Sequence, residues 1–79
     1  MDWRPYIEQR PDVMLGKPVI KGTRLTVELI LERLGDGWPV SDLLEAYPGL
    51  RPEHLQAAQS YAAAYLALDE SVLADQGSR

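Results

Sequence analysis

The chain has 79 residues, with no cysteine and one histidine. That excludes disulfides, thiolate metal sites and an imidazole-rich metal centre, and a single domain of this size buries only about 60–65% of its unfolded surface. The net charge of −4 is unevenly spread: residues 1–24 set five cations against three acids, net +2, while residues 25–79 set three against nine, net −6.

The core is therefore marginal, and with disulfides and metal excluded the remaining staple is oligomerisation or a protein partner. The basic amino-terminal arm, not the acidic remainder, is the candidate for meeting a polyanion. No apolar run approaches the ~20 residues of a membrane span. The start Met1-Asp2-Trp3-Arg4-Pro5 lacks the apolar stretch of an export signal. The expectation is a cytoplasmic protein that does not engage a membrane.

Tyr6-Ile7-Glu8-Gln9 has the β-prone start of a short strand, stopped by Arg10-Pro11-Asp12. After Val13-Met14-Leu15 comes Gly16-Lys17-Pro18-Val19-Ile20-Lys21-Gly22-Thr23-Arg24-Leu25, with two glycines, a proline and three cations in ten residues. Pro18 fixes its own φ and restricts Lys17, while the β-branched residues favour extended backbone between the turns. The same stretch also fits a surface hairpin with solvated lysines. A lone hairpin is marginal in water, so this arm must pack on the rest of the chain or pair with another.

Thr26 suits the N-cap of a first helix, whose Val27, Ile30, Leu31 and Leu34 recur at core spacing until Gly35-Asp36-Gly37. Glu28 falls in its first turn, where the helix dipole favours an anion. Val40, Leu43, Leu44 and Tyr47 repeat that spacing in a shorter helix entered at Pro39 and stopped by Tyr47-Pro48-Gly49. A tight connection leads to Pro52 and a third helix reaching about Asp69. One of its stripes is Leu55, Ala58, Ala62, Tyr65 and Leu66, and another is Ala57, Tyr61, Ala64 and Leu68. That apolar arc is wider than a two-helix core requires, which predicts a partner-facing second stripe. The predicted organisation is an arm over 1–25, a trihelical core over 26–70 and a flexible tail over 71–79.

Catalysis has little to stand on. His54 lies in the first turn of the third helix as an expected exposed residue, with no serine or cysteine nucleophile pattern around it. No phosphate-binding loop is present. The reading is no enzyme, no cofactor and no metal. Two short helices joined by a tight turn after a first helix do make a helix-turn-helix, whose last helix would present Arg51, Glu53, His54, Gln56, Gln59 and Ser60 to a major groove. Arginine reads guanine and glutamine reads adenine, so Arg51 and Gln56 are usable. One cation on that helix predicts weak DNA binding by an isolated monomer.

The run Gly-Lys-Pro-Val-Ile-Lys-Gly-Thr-Arg at 16–24 resembles the hallmark of the DUF433 family of small prokaryotic proteins. Gly37, Leu43-Leu44, Tyr47-Pro48, Leu50, Ala57, Ala58 and Tyr61-Ala62 fall in register with it, so the resemblance covers roughly residues 6–66. It departs at Arg51, where a threonine or serine cap is more usual. The resemblance implies a mainly α, homeodomain-like trihelical helix-turn-helix fold preceded by a short β arm, and a homodimer formed through that arm. It also implies the antitoxin of a type II toxin–antitoxin system, which neutralises a PIN-like ribonuclease toxin from the adjacent gene and represses their promoter. On that reading Val19 and Ile20 pair the arms, and Ala57, Tyr61, Ala64 and Leu68 face a partner. Lys17, Lys21 and Arg24 meet DNA phosphates or an acidic pocket of the toxin. Arg24 either enters the carboxylate cluster with which such nucleases hold metal or ties the arm to Glu28 or another acid. The alternatives are a stand-alone helix-turn-helix DNA-binding regulator and a protein-interaction module that never meets DNA.

Overall fold

The computed structural model describes the chain through residue 77, and side chains through residue 68. It is mainly helical, with three helices preceded by a two-stranded antiparallel hairpin. Strand β1 (Ile7–Glu8) pairs with β2 (Val19–Ile20) so that Ile7 faces Ile20 and Glu8 faces Val19. The other edge of β2 is also occupied. Val19 bridges to Thr26, the Ile20 N–H donates to the Leu25 carbonyl at 2.9 Å, and the Val27 N–H donates to the Pro18 carbonyl at 3.0 Å. The two motif glycines bracket β2. Gly22 sits at the third position of a turn closed by the Thr23 N–H on the Ile20 carbonyl, with φ +81°, a value glycine adopts without steric cost. Its own N–H donates to the Glu8 carboxylate at 3.0 Å, fastening the turn to β1. Gly16 closes a 3-10 turn over Met14–Gly16 in which Met14, Leu15 and Gly16 all have positive φ.

Helix α1 (Val27–Gly35) starts as its sequence dictates, with Thr26 Oγ1 accepting from the Leu29 N–H at 3.0 Å. At its far end the Gly37 N–H donates to the Leu34 carbonyl and the Trp38 N–H to the Arg33 carbonyl, with Gly37 at φ +88°. This is the glycine-terminated arrangement that satisfies the last helical carbonyls. Helix α2 (Val40–Ala46) follows Pro39, and α3 (Pro52–Gly77) begins at Pro52. α3 continues to Gly77, through most of the segment read from sequence as a tail. Residues 70–76 hold no proline or glycine to end it, and 78–79 lie outside the described residues. No helix among the described residues is long and apolar enough to cross a membrane.

The core joins all the elements. Ile7 and Ile20 from the arm, Val27 and Ile30 from α1, Leu43 from α2, Leu50 from the connection, and Leu55, Ala57 and Ala58 from α3 form one buried cluster. The arm is thus a wall of the domain rather than an appendage, which answers its instability as a lone hairpin. Several sequence expectations are corrected by this packing. Val19 and Ile20, expected to pair with a second arm, are wholly buried within one chain, because β2 has neighbours on both edges and the helices beneath it. Ala57, expected to face a partner, is wholly buried in the core. Val40, expected on the core stripe of α2, is exposed because that seven-residue helix reaches the core chiefly through Leu43.

Candidate interaction surfaces

α3 outruns the body it packs on. His54, Leu55, Ala57 and Ala58 are buried and Tyr61 and Ala62 half-buried, whereas every residue from Ala63 to Leu68 is exposed. Tyr65 is 59% exposed, Leu66 64% and Leu68 76%, values at which large apolar side chains retain most of their contact with water. Tyr65 and Leu66, placed by their spacing on the core stripe, therefore belong to the surface. Of the residues expected to face a partner, Ala64 and Leu68 are exposed and Tyr61 is half-buried. The Tyr61 ring meets Trp3 edge-on, centroids 4.8 Å apart and planes at 87°, and Tyr65 continues the row at 6.1 Å. Burial, with a smaller effect from Tyr65, raises the Tyr61 phenol above its ordinary range, so it stays neutral at physiological pH.

Beside this row, α1 and α3 border an open groove of about 810 Å3. Val27 and Leu31 of α1 and Tyr61, Ala62, Tyr65 and Leu66 of α3 give it an apolar lining. Glu28 and Glu32, both exposed, supply acidic groups on the α1 side. Lys17 is also there, and its Nζ lies 2.9 Å from Glu28 Oε1. The tie between arm and first helix, for which Arg24 was one candidate, is made by Lys17. Packing side by side, the two helices leave the space between their outer faces uncovered by any other element among the described residues.

The remaining arm cations face elsewhere. Lys21 and Arg24 are exposed and form no ion pair among the described residues. Arg24 and Arg10 line a second hollow with Glu8, Val13, Gly22 and Thr23, and Arg10 lies 3.6 Å from Asp12.

At the start of α3, Arg51 and Gln56 are exposed, and Arg51 Nε lies 3.5 Å from Glu53 Oε2. His54 corrects the sequence reading: it is buried, and its Nδ1 accepts from the Arg51 N–H at 3.0 Å. The imidazole performs at the helix entrance what a capping carboxylate does elsewhere, supplying by side chain the acceptor that Arg51 lacks as a cap. Burial first, and the Arg51 charge second, hold its pKa below the ordinary value, with Glu53 opposing them. With its ring buried and one nitrogen committed, His54 is not available to read a base. Trp3, which the sequence reading left without a role, covers Tyr61; an aromatic so near a chain start gives no local signal of its target.

Comparison with known proteins agrees with this architecture. The family described as "Protein of unknown function (DUF433)" matches residues 7–62. Uncharacterized protein y4eO of Sinorhizobium fredii (strain NBRC 101917 / NGR234) is 36% identical over 61 residues, which cover 77% of this chain and 28% of that protein. The chain thus spans little more than a quarter of the length of this relative. The crystal structure of a DUF433 member protein from Anabaena variabilis ATCC 29413 superposes with a TM-score of 0.73 at 32% identity, covering 87% of this chain and 68% of that one.

Proposed function

Since this chain belongs to the DUF433 family, we propose that it acts by binding rather than catalysis, as the antitoxin that captures and silences a PIN-like ribonuclease encoded beside it. The observation that carries the reading is the stretch Ala63–Leu68, an exposed apolar run in α3 that follows directly on the part of the helix packed into the core. Water-exposed leucines beside an open apolar groove are a standing cost in a domain with so small a core, and a partner that covers them removes it. The marginal core gives such a partner a second effect, because anything that binds only the folded state stabilises it by mass action.

DNA binding is the second part of the proposal. Lys21 and Arg24 supply phosphate contacts from the arm, and Arg51 and Gln56 remain exposed at the start of α3 for base edges. A stand-alone DNA-binding regulator is the alternative reading. It draws on that same exposure of Arg51 and Gln56 and leaves the apolar run on α3 without a role.

Co-expression of the tagged chain with the product of its adjacent gene tests the proposal. The expected result is a complex of fixed stoichiometry in which ribonuclease activity is suppressed and returns when the chain is removed. A chain that elutes alone, binds promoter DNA tightly and leaves the neighbouring protein's activity untouched would establish the regulator reading instead.

A further inference from the structure

The groove between α1 and α3 has a chemistry that narrows what can fill it. Its lining is apolar through Leu31, Tyr61, Tyr65 and Leu66, and its α1 side carries Glu28 and Glu32. Among the described residues that line it, only Lys17 opposes them, and it is already engaged with Glu28. α3 carries no lysine or arginine along its whole length from Pro52 to Gly77. An occupant must therefore bring an apolar face into an acidic field. We propose that the groove receives an amphipathic segment of the protein partner whose apolar stripe is flanked by lysines or arginines. The inference deepens the antitoxin reading and rests on it, by assigning the surface and the chemistry of the partner's segment.

Charge decides against the two other obvious occupants. A second copy would insert its own α3, which brings acids and no cations against Glu28 and Glu32, and like charges brought together across an interface oppose association. An anionic membrane surface is repelled by the same carboxylates. An apolar helix edged with cations meets both requirements together: its stripe covers Leu31 and Leu66, and its flanks pair with Glu32 and with the free side of Glu28. The arm's Lys21 and Arg24 stay outside the groove, so this surface and the polyanion-facing arm can be occupied at the same time.

The test uses the full chain and two labelled 18-residue helical peptides with the same leucine stripe, one with lysine on its polar face and one with glutamate, followed by fluorescence anisotropy. The lysine peptide is expected to bind at least about tenfold more tightly than the glutamate peptide, and raising the salt should narrow the gap. Leu66→Asp separates groove binding from simple attraction to an acidic protein. It adds negative charge, so diffuse attraction would increase, whereas loss of the apolar contact should abolish binding. Glu32→Lys should shrink the preference several-fold. Both positions are exposed, and unchanged melting temperatures verify that the variants fold. Equal affinity for the two peptides, or undiminished lysine-peptide binding by Leu66→Asp, overturns the proposal. So does a homodimer in sedimentation that Leu66→Asp disperses, since the second copy would then be the occupant. The adjacent gene product keeps the two readings apart. A complex with it that Leu66→Asp leaves intact overturns the groove while the antitoxin reading stands. Failure of the wild-type chain to form that complex, with the peptide preference intact, overturns the antitoxin reading and upholds the groove's chemistry.

Discussion

His54 can accept the Arg51 N–H only while its Nδ1 is unprotonated, so the entrance of α3 depends on the charge of one imidazole. The groups that face it are Arg51, whose charge disfavours protonation, Glu53, which favours it, and the Tyr6 ring at 6.1 Å. The folded state holds its pKa below the unfolded value of about 6.5. Its stabilising contribution is therefore complete above that pH and is lost as pH falls through the folded pKa. Wild-type protein should melt at a lower temperature as the pH is brought from 7.5 to 5. His54→Ala should cost about 1 kcal/mol at pH 7.5, the ordinary value of a helix cap, and the gap between variant and wild type should close in acid. A gap that stays constant with pH would mean that the imidazole contributes packing alone.

At the scale of elements, α1 shows how much of a helix is written locally. Thr26, Glu28, Gly37 and the Val27–Ile30 spacing each act within one turn, so both ends of α1 were legible in the sequence, as was the start of α3 at Pro52. Thr26→Ala removes the acceptor for the Leu29 N–H and should lower the unfolding free energy by about 1 kcal/mol in a denaturant titration, more than Ser at the same position. What was not legible depends on where elements stop supporting one another. Ala57 and Ala64 are the same residue on the same expected stripe, yet one is wholly buried and the other exposed, because α1 and the arm cover only the first part of α3. Val19 and Ile20 look alike as edge-strand residues or as core residues, and only the return of the chain at Thr26 along the second edge of β2 decides between them. His54 was misjudged for a related reason, since a histidine in a first helical turn is exposed unless the preceding loop folds its N–H toward the ring. The candidate site was half legible. The excess of apolar residues on α3 announced more apolar surface than the core takes up, but the acidic side of the groove arises only when Glu28 and Glu32 of α1 are laid beside Tyr65 and Leu66.

For the molecule as a whole, the segregation of charge sets what it can bind and how. Residues 1–24 carry net +2 and residues 25–79 net −6, so a polyanion is drawn to the arm and repelled by the helices. Lys17, although part of the basic run, is spent on Glu28. That leaves Lys21 and Arg24 as the arm cations of the run that are unpaired among the described residues. Each phosphate neutralised on B-DNA contributes about 0.9 to the slope of log K against log salt concentration. If the arm carries the DNA contacts, the double variant Lys21→Ala, Arg24→Ala should flatten that slope by about 1.8 per protomer in anisotropy titrations against promoter duplex. Lys17→Ala should leave the slope nearly unchanged. The single Lys17 variant is the sharper comparison, because all three residues lie in one short run and a diffuse basic patch would lose slope equally from each. An equal loss from Lys17→Ala would mean that the pair with Glu28 opens on binding. The arm would then carry three phosphate contacts, with its hold on α1 exchanged for the third.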